Sequence, residues 1–141
     1  MADIFDQIIT GEIPAYKIYE DDTVLAFLDI SQITPGHTLL IPKKHLQDIF
    51  EYNEDTAAQV LSKLPVIARA VRNSNPDIIG VNIFSNNGKG AGQVVPHSHF
   101  HIVPRYADDN FSITEFSNAD QYSDAQYQKI ADSITSHLQE N

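Results

Sequence analysis

Apolar and polar positions change period several times along the chain, and each change marks an element. Ile4, Phe5, Ile8 and Ile9 share one face of a short helix that Asp3 can cap and Gly11 can end. Past Pro14 the pattern changes to short β-prone runs. Residues 16–20 and 23–28 read as short strands joined by a tight turn at Asp21-Asp22. Pro35-Gly36 marks a second turn, and residues 37–41 read as a third strand stopped by Pro42. From 55 to 73 the pattern turns helical, with Val60, Leu61, Leu64, Ile67, Ala68 and Val71 on one face. Pro65 lies inside that helix and has no N–H to donate, which predicts a kink. Residues 80–85 read as a strand and 86–92 as a glycine-rich loop. Residues 97–103 read as the last strand, entered through Pro96 and left through Pro104. Residues 106–121 are polar and irregular, as in a surface loop. The pattern Ser123-Asp124-Ala125-Gln126 is a capping box, and behind it Tyr127, Ile130, Ala131, Ile134 and Leu138 line one face of a terminal helix. That face suits a packing lid or a dimer element. Antiparallel hairpins with helices set apart predict an α+β fold.

Composition narrows this further. The chain has 141 residues, enough for one domain over 1–141, with a core at about 3–105 and a loop plus helix over 106–141. Hydrophobic residues make up 42%, so a core can form and global disorder is excluded. The formal charge of −10 repels duplex DNA and anionic membranes, and the densest basic patch is only Lys43-Lys44 beside His45. Neither nucleic acid nor membrane is therefore an expected partner. Cysteine is absent, which excludes disulfides and thiolate metal sites. The start, Met1-Ala2-Asp3-Ile4, lacks the basic and apolar runs of a secretory signal, and a cytoplasmic location is expected.

The chemistry concentrates in His97-Ser98-His99-Phe100-His101. Strand side chains alternate, so three histidines fall on one face, while Ser98, Phe100 and Ile102 face the core. Such a row serves either metal binding or imidazole catalysis. No carboxylate lies between Asn86 and Arg105 to complete a metal site on this strand. The preceding loop, with Asn86, Asn87, Lys89, Gln93 and three glycines, offers backbone N–H groups that can hold an anion. An imidazole beside a phosphate cradle suits phosphoryl or nucleotidyl transfer.

The segment His97-Ser98-His99-Phe100-His101-Ile102-Val103 resembles the His-x-His-x-His motif of the histidine triad (HIT) nucleotide-binding proteins. The likeness extends to Ile13-Pro14-Ala15 and Phe27-Leu28-Asp29-Ile30, to the run from Gly36 to His45, and to Gly92-Gln93 four and five residues before the first triad histidine. It covers roughly residues 3 to 105, and Val103-Pro104-Arg105 with the long terminal helix looks more like bacterial Hit proteins than like the Hint branch. The resemblance implies a five-stranded antiparallel sheet with flanking helices, and two chains joined into one ten-stranded sheet. It implies a purine nucleotide-binding hydrolase or nucleotidyl transferase, acting on phosphoramidates or dinucleoside polyphosphates through a nucleotidyl-histidine. His99 matches the nucleophile, and the His97 carbonyl would hold its ring. His101 matches the histidine that contacts the phosphate and leaving-group region, and His37 completes the hydrogen-bonded chain. Asp29 matches the acid that accepts the ribose hydroxyls. Phe5, Ile8, Ile13, Phe27, Ile30 and Leu39 match positions around the base. Asn86, Gly92, Gln93 and the Val94 backbone match groups around the phosphate.

Two departures stand out. Asp3 and Asp6 occupy the positions where many bacterial relatives carry Cys-x-x-Cys, which binds a structural zinc with the histidines corresponding to His45 and His97. Oxygen for thiolate weakens a site for a borderline-soft metal, so no metal and no cofactor are assigned. Val94 stands where relatives often place Ser or Thr, which removes a hydroxyl contact. Two other readings are a non-catalytic nucleotide-binding module and a metalloenzyme with His97, His99 and His101 as ligands. Neither the physiological substrate nor the base preference is written in the sequence.

Overall fold

The computed structural model describes residues 2–138; Met1, the first residue of the N-terminal stretch read above, lies outside them. The chain divides into two units, one ending at Phe111 and one starting at Ser112. The first holds α1 (Ile4–Thr10), β1 (Lys17–Glu20), β2 (Val24–Leu28), β3 (Thr38–Pro42), α2 (Glu54–Leu61), α3 (Leu64–Asn73), β4 (Gly80–Phe84) and β5 (Phe100–Arg105). Short 3-10 turns lie at Ile49–Glu51 and Lys89–Ala91. The second holds α4 (Asp124–Thr135), opened by the expected capping box at Ser123 and Gln126. No helix of the described residues is long and apolar enough to cross a membrane.

The five strands form one antiparallel sheet in the order β1-β2-β3-β5-β4. Asp21 closes the first hairpin: its Oδ1 accepts from the N–H groups of Thr23 and Val24 at 2.8 and 2.9 Å. The centre of the sheet is covered on both faces, so β2 and β3 read as nearly continuous apolar runs and bury successive residues. Val24, Ala26, Leu40, Phe100 and Ile102 pack on one face against Val60, Ile67 and Val71 of α2 and α3. Leu25, Phe27, Leu39 and Ile41 pack on the other against Phe5 and Ile8 of α1. Each fully buried Leu or Ile of this kind contributes about 1.5–3 kcal/mol.

Several boundaries differ from the sequence reading, Pro42 among them, which is the last residue of β3 rather than the stop beyond it. The long helix is two helices, because Pro65 sits in the first turn of α3, where its missing N–H costs no helical bond. β5 starts at Phe100 rather than His97, since Ser98 N–H donates to the Leu46 carbonyl outside the ladder. Pro104 lies inside β5, opposite Val81. Its carbonyl accepts from Thr34 Oγ1 beyond the end of the β3 pairing, so its nitrogen takes no ladder bond away. The polar stretch after β5 is anchored as far as Phe111. Arg105 donates to Asp109, Asn82 and the Phe111 carbonyl, and this moves the end of the first unit from 105 to 111.

Candidate active site

The histidines do face away from Phe100 and Ile102, but that second face is no open surface. α1 covers it, and the Phe5 ring stands nearly perpendicular to the His97 and His99 rings, with centroids 5.8 and 5.1 Å away. His97, His99 and His37 are buried, and His101 is half-buried. A cleft of about 440 Å³ opens beside them. Of the residues singled out from sequence, Phe5, Ile8, Ile13, Phe27, Ile30 and Leu39 line it, with Asp29, Asn86, Gly92, Val94, His99 and His101. Ile30 and Val94 are strongly exposed. His37 and His97 sit behind the lining. Gln93 is not brought to the cleft: it lines a neighbouring hollow with Gln47 and Lys89, and its amide donates to the carbonyls of Gln47 and Val95.

Hydrogen bonding assigns each ring nitrogen a role. His99 Nδ1–H donates to the His97 carbonyl at 2.7 Å, which leaves the Nε2 lone pair free. The Ile33 N–H donates to His37 Nδ1 at 3.2 Å, so His37 carries its proton on Nε2. That proton goes to His101 Nδ1 at 2.9 Å, and His101 in turn keeps its proton on Nε2. His101 is stacked on Phe84, centroids 4.5 Å apart. Burial lowers the pKa of His37 and His99, and it lowers that of His101 to about 4 with help from His99 and His37. Burial works against ionising Asp29, but two bonds from Ser31 and the nearby His37 and His101 outweigh it, and its pKa is lowered. Ser31 donates its N–H at 2.8 Å and its hydroxyl at 2.6 Å to Asp29 Oδ1. Asp29 Oδ2 lies 3.8 Å from His37 Nε2.

The glycine-rich loop differs from the expected anion cradle. Gly88 N–H donates to Gln93 Oε1, and the N–H groups of Ala91, Gly92 and Gln93 donate to carbonyls of the same loop. A loop that closes on itself this way offers few donors to a ligand. Gly92 adopts φ of +93°, which explains its glycine, and its carbonyl faces Asn86 Nδ2 at 3.5 Å.

Among the described residues, His97, His99 and His101 do not gather their ligand atoms as one metal site. His97 Nε2–H donates to the Pro42 carbonyl at 2.8 Å, and the Nδ1 atoms of His99 and His101 are occupied as described. A separate cluster lies behind it. Asp3, Asp6, His45 and His97 offer ligand atoms within 4.8 Å of one another. Asp3 and Asp6 form the capping box of α1 with one oxygen each. Asp3 Oδ2 and His97 Nδ1 are buried, lack hydrogen-bond partners and lie 3.3 Å apart. His97 has its proton on Nε2, so a lone pair on Nδ1 faces carboxylate oxygens. Two unpaired buried acceptors are what a divalent cation would satisfy, and the four residues fit one.

Sequence reasoning missed several contributors. Pro14, Ala15, Tyr16, Leu28 and Val95 also line the cleft. Ser31 had a signal, since Asp-x-Ser is an Asx-turn spacing. The Ile33 N–H had none, because a backbone donor carries no side-chain mark.

Comparison with known proteins follows the same geometry. Residues 10–108 match the model of the HIT domain. The chain is 48% identical to the Protein hit of Bacillus subtilis over 136 residues, 96% of this chain and 93% of that one. It is 39% identical to an adenosine 5′-monophosphoramidase of Candida albicans, covering 72% of this chain and 69% of that one. The crystal structure of a HIT family member from Bacillus subtilis superposes with a TM-score of 0.93 at 46% identity, over 98% of both chains.

Proposed function

The chain belongs to the histidine triad (HIT) family, and from that premise we propose that it is a nucleotide phosphoramidase or dinucleoside polyphosphate hydrolase with His99 as its covalent nucleophile. The observation that carries this reading is the His99 Nδ1–His97 carbonyl bond, which leaves an unprotonated Nε2 beside the cleft. That lone pair attacks the α-phosphorus. The bond from phosphorus to the leaving nitrogen or oxygen breaks, and the leaving group departs with the electron pair and takes up a proton from solvent, which the water of the second step returns. Water then attacks the nucleotidyl-His99, releases the nucleoside monophosphate and regenerates the imidazole. The His101 Nε2–H is a donor for a phosphoryl oxygen, where negative charge grows during attack. Asp29 accepts the ribose hydroxyls, and the apolar wall of Phe5, Ile8, Ile13, Phe27, Ile30 and Leu39 takes a purine base. Asn86 and the Val94 backbone complete the surroundings of the phosphate, and Gln93 acts from behind by holding their loop.

A zinc ion held by Asp3, Asp6, His45 and His97 would supply a structural crosslink between α1 and the segments flanking β3 and β5, with no part in the chemistry. Two chains joined along a sheet edge complete the proposal, as a homodimer with one row of histidines per subunit.

The experiment is turnover of an adenosine phosphoramidate by His99→Ala. We expect a loss of on the order of a thousandfold or more in kcat with binding of adenosine monophosphate retained. Near-normal turnover by the variant refutes the covalent step. A wild-type protein that binds the monophosphate yet turns over no conjugate is a binding module instead.

A further inference from the structure

One side chain holds the turn between β2 and β3 without entering the chemistry above. Asp29 stands at the start of that turn and His37 at its end. Gln32 lies between them, half-buried, with φ of +43°, a left-handed conformation that side-chain-bearing residues seldom adopt. Its amide Nε2 donates to the Asp29 carbonyl at 2.6 Å and to the His37 carbonyl at 2.7 Å. Its Oε1 accepts from the Gly36 N–H at 2.8 Å. Two carbonyls facing one end and an N–H facing the other leave a single orientation for the amide. Backbone bonds alone join the same points more loosely: Asp29 N–H to the His37 carbonyl at 3.0 Å, and Gln32 N–H to the Asp29 carbonyl at 3.2 Å. The next residue is Ile33, whose N–H fixes the His37 tautomer. The placement of that N–H follows directly from the backbone of Gln32.

We infer that Gln32 is a positioning residue that locks the ribose-binding Asp29 and the His37–His101 pair into one rigid turn, bracing the sugar end and the phosphate end of the substrate together. This rests on the roles given above to Asp29 and the histidine row. The left-handed backbone is what lets one amide reach both carbonyls and the Gly36 N–H at once. Removing the amide frees the two ends of the turn to move apart, and the Ile33 N–H drifts from His37 Nδ1.

The test uses Gln32→Ala and Gln32→Gly in the full chain, read by steady-state kinetics on adenosine phosphoramidate and by the ring-nitrogen NMR signals of the histidines. Gln32→Gly removes the same three bonds while accepting a positive φ freely, and it serves if the alanine variant does not fold. In both variants we expect kcat to fall about tenfold and KM for the ribonucleotide conjugate to rise several-fold. The His37 and His101 ring signals should move toward mixed tautomers, while the His99 Nδ1–H signal stays in place. A glycine variant that restores wild-type kinetics and ring signals overturns the inference, because the side chain would then only tolerate the backbone. So does a lowered melting temperature with unchanged ring signals and unchanged kcat and KM. The NMR arm needs no turnover. If the wild-type chain proves inactive, the proposed function fails on its own, and the His37 and His101 signals still decide the role of Gln32.

Discussion

Three imidazoles stay neutral near neutral pH, because burial removes the water that would solvate a charge, and at His101 the rings of His99 and His37 add to that effect. This sets a direction for stability. Folded His37, His99 and His101 resist protonation below the ordinary imidazole value of 6.5, His101 down to about 4, whereas the unfolded chain takes up those protons near 6.5. In that window the unfolded state binds more protons, so the fold loses stability as pH falls from 6.5 toward 4. Denaturant titrations should give a flat stability above about pH 7 and a decline below it. The decline should shrink in His101→Gln. Asp29 makes a separate prediction. A charge-assisted bond to each ribose hydroxyl is worth about 1.5–3 kcal/mol, so Asp29→Ala should weaken binding of adenosine monophosphate and erase most of its preference over the deoxy form. Calorimetry with both nucleotides checks this, and an undiminished preference would leave Asp29 with only its turn.

Elements whose fate is set locally were readable from the chain. The Asp21 turn and the strands beside it follow from β-prone runs and turn residues. Where distant partners decide, reading failed. Nothing local says that Ser98 N–H reaches the Leu46 carbonyl, so the alternating pattern begins at His97 while the strand begins at Phe100. Nothing local says that Gln93 closes the glycine-rich loop on itself instead of meeting a phosphate. The histidine row was legible by alternation, but its burial was not, because α1 and Phe5 come from the far end of the chain. Gly36 shows the same split. Its turn is visible in Pro35-Gly36, while its close neighbour is not: a Cβ there would lie 3.1 Å from Pro104 Cγ, at φ of +103°. Gly36→Ala should cost about 1–2 kcal/mol or more from the left-handed backbone alone, measured by chemical denaturation. It should also disturb the Gly36 N–H that faces Gln32.

Across the whole molecule, the sheet ends in β1 and β4, and exposed edges invite pairing. The resemblance drawn from sequence adds a two-fold dimer, in which one patch meets its own copy. With a formal charge of −10 per chain, association must rest on apolar contacts and backbone bonds, so added salt should leave the dimer intact or tighten it. Sedimentation at micromolar protein in low and high salt checks this, and a monomer in both buffers removes the ten-stranded sheet. The stacking of Phe84 on His101 acquires a meaning at this scale. Phe84 ends the edge strand β4, and its ring lies flat on the last ring of the histidine row. A second chain that pairs along β4 would therefore bear on the ring that the proposed chemistry sets against the phosphate, which ties assembly to the His101 side of the cleft.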